Sequence, residues 1–121
     1  MDFGRSLDEV ALRFSKQMDE FEAEGGATNN RFYGLGVHVY HSVARSIELV
    51  LREQPYSIDV VVRQELIGSI SQLRQLAATD FRSYSPNPLA FWTQGRKISK
   101  NISSAAESNR RSSRVHGSRL A

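Results

Sequence analysis

The sequence predicts an all-α fold, an antiparallel four-helix up-down bundle followed by a basic, flexible C-terminal arm. Three observations predict it. Apolar residues recur at three- and four-residue spacing through four separate stretches. Those stretches begin or end on residues that start or stop helices, and the segments between them are short. At 121 residues, with 40% apolar and 24% charged side chains, the chain matches ordinary globular composition and holds one modest core. We divide it into a bundle over 1–108 and an Arg/Ser-rich arm over 109–121.

The first helix opens on Ser6-Leu7-Asp8-Glu9, a capping box in which Ser6 is the N-cap and Glu9 reaches back to it. Leu7, Val10, Ala11, Phe14, Met18 and Phe21 form its inward face, and Glu9, Arg13, Lys16 and Glu20 its outward one. "EGG" at 24–26 is a left-handed-tolerant stop. The second helix starts after Asn29 or Asn30 and runs to about Glu53, where Gln54-Pro55 disfavours continuation. Its expected inward residues are Phe32, Leu35, Gly36, Val39, Tyr40, Val43, Ile47 and Val50. Gly34 and Gly36 each cost about 1 kcal/mol relative to alanine, which close packing of a neighbouring helix explains; a start delayed past Gly36 is the alternative.

The third helix is expected from about Ile58, with Ser57 as N-cap and Asp59 in the first turn, to about Asp80. Ile58, Val62, Leu66, Ile70, Leu73, Leu76 and Ala77 form its main face. Val60, Ile67 and Ala78 make a thinner second stripe, which calls for a further neighbour, another subunit included. Asn87-Pro88 starts the fourth helix over about 88–108. Phe91, Ile98, Ile102 and Ala105 share one stripe there, with Leu89 and Trp92 to the side. From Asn109 onward, dense arginine and serine with little apolar content predict a flexible arm.

Charge is uneven along the chain. Residues 1–81 hold 8 Lys/Arg and 12 Asp/Glu, net −4, whereas residues 82–121 hold 8 Lys/Arg and the single acid Glu107, net +7. Such asymmetry points to a polyanionic partner, nucleic acid foremost, with a solubilising tail as the plain alternative. The absence of cysteine excludes disulfides, thiolate metal sites and cysteine nucleophiles. No signal-like start and no apolar run of ~18 residues is present, so the expectation is a cytoplasmic protein with no membrane contact.

"NRFYGLGVHVYHSVAR" at 30–45 raises the question of chemistry. At ~100° per residue, Arg31, His38, Arg45 and Arg52 fall every seven residues along one outward stripe, with His41 beside them and Glu48 interrupting the positive run. Zinc wants three or four ligands, and Glu48 is the one nearby carboxylate, so no metal or cofactor is expected. Arg31 and His38 also superficially resemble the arginine–histidine motif of the HEPN helical ribonucleases, an arrangement able to serve general acid/base cleavage of RNA. The reading carried forward is phosphate binding without catalysis, by Arg31, Arg45 and Arg52 on the second helix, Arg96, Lys97 and Lys100 on the fourth, and Arg110, Arg111, Arg114 and Arg119 on the arm. Tyr84 and Trp92 are stacking candidates, though Trp92 fits the end of the bundle better.

Two stretches carry a family resemblance. "RFYGLGVHV" at 31–39 and "LIGSISQLRQLAATDF" at 66–81 are similar to the second and third helices of the small bundle family that includes the ribosomal RNA intervening-sequence proteins and the accessory variability determinants of diversity-generating retroelements. Together they cover about 25 residues. "SIELVLREQP" replaces the asparagine-rich end of the second helix found in the intervening-sequence subgroup, so the accessory determinants are the better comparison. The resemblance implies a non-enzymatic homo-oligomeric bundle that binds a reverse transcriptase and holds RNA or DNA on basic surfaces. It makes Gly34 and Gly68 packing residues. The expected function is therefore that of a nucleic-acid-binding accessory protein, for RNA or single-stranded DNA. The competing classes are a protein-interaction adaptor, inhibitor or chaperone, and a ribonuclease using Arg31 and His38.

Overall fold

The computed structural model describes residues 2–25, 31–78 and 88–120, with side chains described outside 31–33, 88 and 113–120. Four helices carry the fold, α1 (Leu7–Ala23), α2 (Arg31–Glu53), α3 (Val60–Ala77) and α4 (Pro88–Leu120), with no strand among the described residues. They pack as an antiparallel bundle in which α1 lies against α2 and α4, and α3 against the same two. Across the diagonal α2 touches α4, and α1 stays clear of α3.

The start of α1 is built by residues 2–6. Ser6 is extended, and its Oγ accepts the Glu9 N–H at 3.2 Å. Glu9 reaches back one residue further than expected, past Ser6, to accept the Arg5 N–H at 3.3 Å. Gly4 makes that possible: its φ of 121° is left-handed, and a Cβ there would stand 2.6 Å from the Glu9 side chain. All six expected inward residues of α1 are buried, and Phe3 joins them.

On α2 the buried apolar side chains are Val39, Tyr40, Val43, Ala44, Ile47, Val50 and Leu51. Leu35, expected inside, is 49% exposed, because Ala44 and Leu51 turn the inward face away from it. Phe32 lies outside the described side chains. The N-cap of α3 is Asp59, not Ser57: the Asp59 carboxylate accepts the Val61 N–H at 3.0 Å, while the Ser57 hydroxyl donates to the Gln54 carbonyl at 2.9 Å. Asn109 of α4 fixes this start, accepting the Asp59 N–H and donating to the Ser57 carbonyl, each at 2.9 Å. The helix ends at Ala77 with Ala78 as C-cap; Thr79 and Asp80 lie outside the described residues, as does the expected N-cap Asn87.

The segment expected to leave the bundle at Asn109 instead continues α4 to Leu120. Buried Ala105 and Ala106 bring it in, and Asn109 and Ser112 tie it to the α3 start, with Ser112 donating to Asp59 at 3.3 Å.

Two aromatic rings and two glycines set the α2–α4 crossing. The ring of Phe91 on α4 sits over Gly36 on α2, and the ring of Tyr40 on α2 sits over Gly95 on α4. Added Cβ atoms would come within 2.6 Å of Phe91 and 1.9 Å of Tyr40 Oη, respectively. The rings meet edge to face at 4.9 Å, and the Tyr40 hydroxyl donates to the Phe91 carbonyl at 2.8 Å. Burial pushes the Tyr40 phenol far above its usual range, so it remains a donor. Gly36 thus packs as expected for a glycine near the start of α2. Gly34 and Gly68, the positions singled out by the family resemblance, have nothing within 4 Å of where a Cβ would be.

Candidate nucleic-acid interface

The antiparallel packing decides which of the expected cations are free to meet a phosphate. Arg45 and Arg52 stand exposed on the outer side of α2, and neither has an ion-pair partner among the described residues. Glu48, which interrupts their stripe, is bound by Arg74 of α3 at 2.6 Å. His38 and His41 are exposed and share with Arg74 a groove of about 390 Å³ floored by Val37, Ala77 and Ala78. Among the described residues no three His, Cys, Asp or Glu side chains stand together as a metal site. The side chain of Arg31 lies outside the described residues, and so does its pairing with His38.

On α4, Lys97 and Lys100 are exposed and have no ion-pair partner among the described residues, but α4 lies diagonally across from α2. The structure therefore sets these lysines on a different side of the bundle from Arg45 and Arg52. Arg96 is only 17% exposed and turns toward α1, pairing with Asp19 and with Glu22 at 3.5 Å while donating to the Ser15 carbonyl. Arg110 pairs with Asp8 at 2.5 Å, and Arg111 with Glu107 at 2.7 Å. Arg114 and Arg119 lie outside the described side chains, and Tyr84 outside the described residues. Trp92 is half-buried against the core.

This arrangement gives part of the charge asymmetry a source within the fold. Helix α1 holds five carboxylates and two cations, while α4 holds seven cations and one carboxylate. Part of the basic third finds its polyanion within the chain, because antiparallel packing lays Arg96 and Arg110 on the acids at the two ends of α1. Arg96→Met is accordingly expected to lower stability by about 1 kcal/mol, through loss of a half-shielded pair, while leaving RNA affinity within a factor of two. Urea unfolding and an RNA titration of the same variant check both halves.

One cation that sequence reasoning passed over belongs with the α2 stripe. Arg5 lines a groove of about 480 Å³ with Ser42, Arg45, Ser46 and Glu53. Its segment is pinned to α2 at two points: the Phe3 N–H donates to Ser46 Oγ at 3.3 Å, and Gln54 donates to the Arg5 carbonyl at 2.8 Å. A lone arginine before a helix carries no sequence signal of this kind. Only the fold of residues 2–6 across α2 brings it to Arg45.

No protein-family model, curated protein or solved structure matches the chain. Among the described residues no helix is long and apolar enough to cross a membrane.

Proposed function

We propose that the chain is a non-enzymatic nucleic-acid-binding bundle that acts beside a nucleic-acid enzyme, a retroelement reverse transcriptase being the partner the family resemblance suggests. The observation that carries this reading is the α2 face. Arg45 and Arg52 stand exposed without carboxylate partners among the described residues, with His38 and His41 on the same helix and Arg5 beside Arg45. Cations left unpaired in a chain that pairs Arg13, Arg74, Arg96, Arg110 and Arg111 are the ones available to phosphates. Lys97 and Lys100 supply a second, separate patch.

The test is a titration of fluorescent RNA and single-stranded DNA with the full chain across a salt series. Binding that weakens steeply with salt is expected. A truncation after Ser112 retains the Asn109 and Ser112 bonds to α3 and removes Arg114 and Arg119, so a shallower salt slope in it assigns phosphate contacts to that end. No detectable binding at low salt rejects the reading and leaves the protein-interaction class in its place.

A further inference from the structure

Four ionised side chains line the groove between residues 2–5 and α2, and no two of them pair. Arg5 and Arg45 supply two guanidinium groups, and Asp2 and Glu53 two carboxylates, yet no ion pair within 4 Å joins any of them. The Asp2 carboxylate accepts the Gly4 N–H at 2.9 Å, and its second oxygen has no described partner. Ser42, half-buried in the groove wall, has none either.

Two of these charges also stand where their helices disfavour them. Arg5 directly precedes the N-cap Ser6 of α1, the end at which the helix dipole repels cations. Glu53 is the last residue of α2, the end that repels anions. A pair placed against both dipoles and left open contributes little to holding the fold. It suits a ligand that brings an anion and a hydrogen-bond donor together.

We propose that this groove holds one nucleotide of a single strand whose base carries an exocyclic amino group, its phosphate on Arg5 and Arg45 and its amine on Glu53 and Asp2. The inference rests on the nucleic-acid reading above and gives it a base preference. A volume of about 480 Å³ is in the range of sites for one small ligand. Arginine forks match phosphate oxygens, and a carboxylate accepts from the cytosine amine. Uracil presents a carbonyl oxygen at the same ring position and would set it against Glu53. Cytosine and uracil have the same ring size and differ only along this edge, an amine beside a bare N3 in the one and a carbonyl beside an N3–H in the other.

The experiment compares oligocytidylate with oligouridylate of equal length, each titrated into the full chain at low salt. The expected result is about tenfold tighter binding of the cytidine strand, in line with one base-edge contact. Glu53→Ala should reduce that preference below threefold while leaving uridine binding unchanged or tighter, and its melting temperature should hold or rise. Arg5→Ala should weaken both strands by the same factor. Equal affinity for the two strands, or a preference untouched by Glu53→Ala, overturns the groove assignment while the nucleic-acid reading stands. Absence of binding to either strand overturns both.

Discussion

Gly95→Ala is expected to destabilise the bundle by about 3 kcal/mol. The new methyl would stand 1.9 Å from Tyr40 Oη and 2.4 Å from Cζ, so the ring must leave its seat. Overpacking of this kind costs ~1–3 kcal/mol. Displacing the phenol also breaks its 2.8 Å bond to the Phe91 carbonyl, and an unmade buried hydrogen bond costs ~1–3 kcal/mol more. Against these, replacing glycine within a helix returns only ~1 kcal/mol. Scanning calorimetry should show a fall of roughly 10 °C in melting temperature for a domain of this size. Gly68→Ala is the matched control: the site is open on the outside of α3, and the change should stabilise by ~0.4–1 kcal/mol. Equal effects at the two positions would mean that the ring-over-glycine seat does not hold α2 to α4.

Reversing Arg45 and Arg52 to glutamate should have the largest effect on binding. Both side chains are exposed and have no ion-pair partner among the described residues, so the double variant should keep the helical circular-dichroism signal of the parent, with a melting temperature lower by a few degrees because a glutamate at 52 stands in the last turn of α2. Loss of two phosphate contacts should flatten the slope of log affinity against log salt by about 0.7 per residue for a single strand. Affinity at low salt should fall by roughly two orders of magnitude, since each site changes from attraction to repulsion. Lys97→Glu with Lys100→Glu serves as the comparison from the other side of the bundle. If that pair weakens binding and the arginine pair does not, the interface lies on α4.

Much of this fold was legible in the sequence because its signals are local. The capping residue Ser6, the period of Val10, Phe14, Met18 and Phe21, and the Gln54-Pro55 break all act within a turn or two of where they stand. The misplacements have through-space causes. Asp59 rather than Ser57 caps α3 because Asn109, 50 residues later, holds the Asp59 backbone. Helix α4 passes its expected end for the same reason. The candidate site was less legible still. Arg96 and Arg110 look like tail cations in one dimension, and only the packing of α4 on α1 shows that Asp19, Glu22 and Asp8 already occupy them. The outward placement of Arg45 and Arg52 was readable from their seven-residue spacing, whereas that of Arg5 beside Arg45 was not.

The seat of Tyr40 over Gly95 has a consequence at a distance. It fixes the axial register of α4, since the ring fits only where a side chain is missing. One residue beyond Gly95 stands Arg96, on Asp19 and Glu22 of α1, and four turns beyond it Arg110, on Asp8. A slide of α4 by one turn, about 5.4 Å, would carry both arginines off those acids and put Asn109 out of reach of Asp59. The phenol thus works as an index pin, and which cations the bundle keeps for itself follows from where that ring drops into place.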